Sequence, residues 1–367
     1  MGHVVLLTGA GGMVGEALVP VLAARADVSQ IFALAHKAGV RVRHENVIPI
    51  SGNLQAGSDL GMSDDIQGQI RDRVSVIIHA AADTRFSAPL TESRAANVEG
   101  ARNLLSFAVH CPRLRGLVAL STVHVAGKRT GLISEDDLEH CEGFVNSYEQ
   151  SKYESELLLR QSMPEVPISI VRLSTVFGSS VSGEVGKYAA IHHALRLYYH
   201  SLAPMIPGTA DSPVDLVALD FAASAVAHLA TEHFEPGRTF QVCGGADVLT
   251  VGKMLELTRQ VFLQYRPSWR KRRIAVPAIV DLPTFNLFVA SVHELGDHLL
   301  QHSVSVIEHF APQLAYPKMY DDRHCAGALE DANLRKDPVS DFYPKVVRWL
   351  VESGWADRTI VPEAVLG

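Results

Sequence analysis

Over the first 250 residues, short apolar runs alternate with stretches in which apolar residues recur every three or four positions. The runs are Val4–Leu7, Ile31–Leu34, Val47–Ile50, Val74–His79, Gly116–Leu120, Ile168–Leu173 and Thr239–Val242. Near-continuous apolar runs of this length are the mark of strands covered on both faces. The helical period occupies positions 14–25, 90–110, 147–162 and 215–231. Strand and helix in alternation predict an α/β fold, a doubly wound parallel sheet of Rossmann type. Beyond about Thr250 the pattern becomes mainly helical with proline-bearing breaks, which predicts a smaller, mainly helical C-terminal portion.

The first strand runs into Thr8-Gly9-Ala10-Gly11-Gly12-Met13-Val14-Gly15, and a helix follows at once. Glycines at 9, 12 and 15 permit a tight turn, close backbone approach to a pyrophosphate, and helix–strand packing. The helix N-terminus offers unpaired N–H groups to the phosphates. The spacing is Gly-x-x-Gly-x-x-Gly; the Gly-x-Gly-x-x-Gly register would need glycine at Val14. An ordinary glycine-rich turn is the plain alternative. At the end of the second strand, where NAD-selective sites carry a carboxylate, stand His36 and Lys37, followed by Arg41 and Arg43. Cations suit a 2′-phosphate, so the sequence favours NADP over NAD. These features divide the chain into an NADP-binding domain at 1–250, with a substrate-portion insertion near 179–212, and a substrate-binding or lid portion at 251–367.

Tyr148 and Lys152 stand four residues apart on a predicted helix and therefore share a face. A tyrosine titrates near pH ~10, and a fixed positive charge beside it would bring it toward working range. Alone, this spacing is common on helix surfaces; in order behind a glycine turn it is a candidate acid–base pair.

Composition narrows the classes. With 367 residues, 47% hydrophobic and 20% charged, the chain can bury a large core. A net charge of −7 without a basic, aromatic-interleaved cluster excludes nucleic acid as the expected partner. Cys111, Cys141, Cys243 and Cys325 lack Cys-x-x-Cys spacing and read as reduced thiols. The initial apolar run is too short for a signal peptide, so the expected location is cytoplasmic.

Several motifs in order resemble the extended short-chain dehydrogenase/reductases over positions 3 to 250. They are the glycine turn, His79-Ala80-Ala81-Ala82, Leu120 through Gly127, the Tyr148–Lys152 pair and Arg172 through Gly178. Within that superfamily the chain is similar to the male-sterility-type fatty acyl reductases and the thioester reductase domains of assembly-line synthetases. The carriers are Asp59 through Ser63, His79 through Phe86, Asn97 through Leu105, and Pro213-Val214-Asp215 through Phe221. The resemblance implies NADPH-dependent reduction of an acyl thioester, on CoA or a separate carrier protein, to aldehyde or alcohol. It implies Tyr148, Lys152, Thr122 and Asn97 as catalytic residues, with Asn97 helping a proton relay or simply capping a helix turn. It implies a cofactor site of Thr8, Gly9, Gly11, Gly12, Met13, Val14, Gly15, His36, Lys37, Asn53, Leu54, Ala80, Ala81, Ala82, Leu173, Thr175 and Val176, together with Tyr148 and Lys152. Two positions depart from the pattern: Leu173 replaces the usual Pro, and Asn53 replaces an Asp facing the adenine. Reduction of a ketone or aldehyde, dehydrogenation of a hydroxyl, and a non-catalytic NADP-sensing role are the alternatives.

The remaining features are weaker. His298 and His302 share a helical face, but a solvated polar face explains them as well, and no metal site is expected. A basic run at 270–273 precedes a largely apolar stretch from Ile274 to Val292 that Pro277, Asp281, Pro283 and Asn286 interrupt. It should not span a membrane. It should instead cover the substrate pocket, with peripheral membrane contact open for 269–292. The oligomeric state is left open.

Overall fold

In a computed structural model, residues 2–36, 39, 44–266, 269, 275–296 and 298–355 are described. Seven parallel strands form the central sheet: β1 (His3–Thr8), β2 (Val28–Ala35), β3 (Val47–Ser51), β4 (Val76–His79), β5 (Gly116–Thr122), β6 (Ile168–Leu173) and β7 (Thr239–Val242). Their order is β7-β6-β5-β4-β1-β2-β3. All seven predicted runs are strands. Leu6, Leu7, Ile77, Ile78, Val118 and Ile170 have no exposure, because helices cover both faces. The chain builds outward from β1 in one direction and then returns to build in the other. That reversal places a crevice at the C-terminal ends of β1 and β4, where ligands bind in open α/β sheets.

The predicted helices appear at Met13–Ala23, Ser147–Gln161 and Leu219–Thr231, and across Leu90–Ala108 with a π-helical turn at Ala95–Glu99. The stretch expected to be helical from 215 is corrected at its start. Leu216–Ala218 is a strand paired with Thr175–Gly178, and the helix begins only at Leu219. The apolar stretch 274–292 is likewise not one helix. Its described part is a strand, Ala278–Val280, paired with Met205–Pro207, and then a helix, Leu282–Leu295. Asp281 caps that helix by accepting a hydrogen bond from Thr284 N at 2.8 Å, with proline in the first turn where its missing N–H costs nothing.

A second core joins the insertion to the C-terminal residues: Phe177, Leu197, Phe262, Phe285, Tyr343 and Val346 pack together. Not all of the C-terminal portion belongs to it. Cys325, Ala328 and Leu329, on helix Arg323–Glu330, pack into the sheet's own core beside Ala222 and Val226. Among the described residues no helix is long and apolar enough to cross a membrane.

Candidate active site

The crevice is built from its backbone upward. Thr8 and His79 are register partners at the ends of β1 and β4, and Thr8 Oγ1 lies 2.9 Å from His79 Nδ1. Thr8 Oγ1 also accepts from Ala81 N at 3.3 Å, which fixes the turn after β4. Burial, with the Lys152 charge adding to it, pushes His79 down to about 3, so this ring is neutral. Gly9 has φ +70°, and a Cβ there would fall 2.5 Å from Ala81 N. A Cβ on Gly15 would collide with the Gly9 carbonyl oxygen. The loop is therefore pressed against the turn after β4, its Ala10 and Gly12 N–H groups are held by Leu34 O and Gly9 O, and Met13 and Val14, at the uncapped N-terminus of helix Met13–Ala23, line the crevice. Gly9→Ala should lower stability by about 2 kcal/mol through left-handed strain. It should also weaken dinucleotide binding at least about tenfold. Thermal melting and fluorescence titration with NADPH check this.

Lys187, from the 179–212 insertion, donates to the Gly11 carbonyl and lies 3.6 Å from Glu16. It brings a cation to a loop that has none of its own. Nothing in the sequence joins positions 11 and 187.

Asn146 starts the helix that carries the pair. Its side chain accepts from Glu149 N at 3.0 Å and donates to Glu149 Oε1 at 3.0 Å. Tyr148 and Lys152 then fall one turn apart, facing the ends of β5 and β6. Lys152 Nζ donates to the Leu120 carbonyl at 2.8 Å. Thr122, the last residue of β5, is hydrogen-bonded to the Tyr148 hydroxyl. Burial pushes Tyr148 up to about 12; the Thr122 hydrogen bond opposes this and the Glu149 charge adds to it. Burial also pulls Lys152 down to about 8, against the Glu156 charge. The expectation that Lys152 would lower the tyrosine's pKa is thus replaced: Thr122 lowers it, burial outweighs that, and Tyr148 is a protonated donor at neutral pH.

The helix is anchored from behind. Glu156, one turn beyond Lys152, accepts from Arg172 at 2.6 Å with neither side chain exposed, and from Ser121 Oγ at 2.7 Å. Burial would raise the Glu156 carboxyl, but Arg172 wins and holds it below the usual range. Asn97 sits in the π-helical turn, buried. It accepts from Asp83 N at 2.8 Å and donates to the Asp83 carbonyl at 3.0 Å and Ser151 Oγ at 2.9 Å. Its side chain is occupied in tying the loop after β4 to the Tyr148 helix.

One cavity of ≈ 600 Å³, well within the size of ligand pockets, is lined by Tyr148, Lys152 and Thr122. Met13, Val14, Ala80, Ala82, Leu173, Thr175 and Val176 also line it. Of the other expected residues, Ala81 is packed under Gly9, and Asn53 caps a short turn by accepting from Gln55 N at 3.0 Å. Leu54 is buried, with its carbonyl accepting from Asn103 at 2.7 Å. His36 is exposed just after β2, and Lys37, Arg41 and Arg43 lie outside the described residues.

A second, mainly apolar cavity adjoins the first. Phe86, His124, Ser174, Thr175, Ala189 and Ala190 line both. Its covering wall is not the stretch expected to act as lid. Among the described residues of 274–292 only Pro277 reaches it, whereas Ile307, Phe310, Ala311 and Leu314 face it. His302, Ser305, Val306 and His309 face the Tyr148 cavity. This wall is pinned to the catalytic helix. Gln313 donates to Glu149 Oε1, Asn146 Nδ2 donates to the His309 carbonyl at 2.9 Å, and Lys318 donates to Gln313 Oε1 at 2.8 Å. Sequence reasoning missed Glu149, Lys318, Glu156 and Arg172 as a supporting shell; a carboxylate beside the tyrosine was the one available hint.

Comparison with known proteins agrees with this architecture. The family model of the male sterility protein matches residues 39–226. Fatty acyl-CoA reductase 8 of Arabidopsis thaliana is 21% identical over 83% of this chain and 79% of its own. The non-canonical nonribosomal peptide synthetase hkm10 of Aspergillus hancockii is 26% identical over 65% of this chain. The chain spans only 26% of that synthetase's length, and 38% of that of another relative. The solved terminal R domain of the myxalamid polyketide–nonribosomal peptide pathway superposes with TM-score 0.78 at 23% identity, covering 96% of this chain and 91% of that one. That likeness carries the fold.

Proposed function

Because the chain belongs to the male sterility protein family, within the NAD(P)-binding extended short-chain dehydrogenase/reductases, we propose that it reduces an acyl thioester with NADPH. The observation that carries this reading is the junction of two cavities. A groove lined by Met13 and Val14 at the glycine turn and by Tyr148, Lys152 and Thr122 shares the wall of Phe86, His124, Ser174 and Thr175 with an apolar chamber suited to an acyl chain. The glycine turn and the helix N-terminus behind it fit a pyrophosphate, with Lys187 supplying charge at its edge. NADPH rather than NADH is supported by the absence of a carboxylate at His36-Lys37.

A bound nicotinamide supplies the hydride. The chain's own residues do the rest. Tyr148, protonated at neutral pH, and Thr122 direct two hydroxyls at one substrate oxygen, where negative charge develops. Tyr148 gives that oxygen its proton. Lys152, held by Leu120 O at the groove wall, reaches the ribose. Removal of the proton from the resulting hemithioacetal lets its C–S bond break and releases aldehyde and thiol. Phe86, with its ring 5.3 Å from that of Tyr148, gives the reacting centre an apolar wall.

The test is NADPH oxidation with acyl-CoA, acyl-pantetheine, aldehyde and ketone substrates. Thioester turnover is expected; turnover of aldehydes and ketones alone would move the reading to a carbonyl reductase. Lys152 adds a pH signature. It is charged below about 8 and loses its proton above that, so kcat/KM should fall on an alkaline limb near 8 rather than 10.5. The Tyr148 phenol, near 12, should add no limb below pH 10. Initial rates from pH 6 to 10 check both.

A further inference from the structure

The acyl chamber ends on a tyrosine. Its long wall is helix Ala190–Tyr199, from the 179–212 insertion, and Ala190, Ala194 and Tyr198 all line it. Positions four apart on a helix share a face, so these three stand in a row with one turn between each. Ala190 also lines the Tyr148 cavity, whereas Ala194 and Tyr198 do not. The row therefore runs inward from the junction of the two cavities. Two small side chains leave room along it, and a phenol ring stands at its inner end.

Both ends of the helix are fixed. At its start, His192 Nδ1 accepts from Ala189 N at 2.8 Å, which leaves Nε2 to donate to the Phe177 carbonyl at 2.7 Å. The same ring stacks on that of Phe177. At the inner end, Tyr198 is buried against Phe262 and Trp269, with ring centroids 5.5 and 5.4 Å away. Trp269 Nε1 donates to the Tyr199 carbonyl at 3.1 Å. Leu195, Met254 and Leu255, which also line the chamber, belong to the same packed core. A chain that reached Tyr198 would meet close-packed side chains, and going further would displace an aromatic cluster.

Two measures of the space agree. Eight residues separate Ala190 from Tyr198, about 12 Å of helix. An extended alkyl chain, with C–C bonds of about 1.5 Å, advances roughly 1.3 Å per carbon, so about nine carbons fit that depth. The cavity holds ≈ 190 Å³. An apolar cavity of about 150 Å³ takes up benzene, which scales to about seven or eight carbons here and to roughly 400 Å³ for a sixteen-carbon chain.

We propose that helix Ala190–Tyr199 is a ruler for the acyl group and that Tyr198 is its end stop, so that the chamber accepts acyl chains of about eight to ten carbons and excludes long ones. This rests on the thioester-reductase reading, in which the carbonyl lies at Tyr148 and Thr122 and the tail enters past Ala190.

The experiment measures NADPH oxidation with straight-chain acyl-pantetheines of even length, from butanoyl to hexadecanoyl, at submicellar concentration. Each methylene buried along the row should raise kcat/KM about threefold to fourfold, up to octanoyl or decanoyl. Hexadecanoyl-pantetheine should then fall at least about tenfold below the optimum, since overfilling a packed site is costly. Ala194→Leu fills the row one turn from the junction and should move the optimum down to hexanoyl or shorter. Tyr198→Leu trims the stop and should move it up by about two carbons. A wild-type profile that stays flat or keeps climbing to hexadecanoyl overturns the inference and leaves the reductase reading standing; this comparison needs no variant to fold. A folded Ala194→Leu with an unmoved optimum also overturns it. Failure to reduce a thioester of any length, with NADPH bound, overturns the reductase reading and the inference with it.

Discussion

Replacing Tyr148 by phenylalanine should lower kcat/KM for every substrate by about 10³-fold, within the range for removing a general acid or one donor to a developing oxyanion. The structure gives the loss a specific origin. Tyr148 is a half-buried phenol, raised by desolvation to about 12 and hydrogen-bonded to Thr122, so it works by delivering a proton already in place. Thr122→Val, which removes the second hydroxyl together with its acceptor role toward His124 N at 3.2 Å, should cost about 10²-fold. Thermal melting of both variants should stay near the wild type. Single-turnover rates then place the loss in the hydride step; wild-type rates in Tyr148→Phe would refute the mechanism.

The largest stability effect is expected behind the site. Arg172→Met or Glu156→Gln should destabilise the fold by about 3–5 kcal/mol, because each removes half of a fully buried ion pair, for which the second, partly exposed partner of Glu156, Arg160 at 3.1 Å, does not substitute. Arg172 also donates to the Asp137 carbonyl at 2.6 Å, so its loss strips a second buried acceptor. The double variant Glu156→Met/Arg172→Met should recover much of the deficit, since no fully buried charge is left behind and Arg160, which also loses Glu156, is partly exposed and keeps the Asp136 carbonyl and Thr239 Oγ1 as acceptors. Guanidinium unfolding measures all three. The sign with pH follows from Glu156. Its folded pKa is depressed, so its stabilisation is present above the unfolded value and fades as pH falls through the folded one. Acid sensitivity should therefore be blunted in the double variant. Activity should suffer along with stability, because the pair holds the helix that carries Tyr148 and Lys152.

Much of this was legible along the chain, and the reason is locality. The strands declare themselves because a doubly covered strand must be predominantly apolar. The glycine turn follows from close backbone approach, and Tyr148 with Lys152 from the helical repeat. Each signal lies within a dozen residues. Where local pattern misled, a distant partner had intervened. Leu216–Ala218 looks like the first turn of a helix until Thr175–Gly178 offers it a ladder, and Ala278–Val280 is drawn out of an apolar stretch by Met205–Pro207.

The sequence by itself therefore determined the parallel sheet, the glycine turn after its first strand and the helical pair Tyr148 and Lys152. The tertiary structure decided the protonation and the enclosure of the site. Tyr148 is a retained acid, not a lowered one, because burial exceeds every hydrogen bond it receives. Glu156 meets Arg172, Lys187 meets the glycine turn, and residues from 302–318 wall the two cavities, to which the described part of 274–292 adds Pro277 alone. These are contacts across tens to nearly two hundred residues of chain, and only packing sets the dielectric and the charges that a buried group feels.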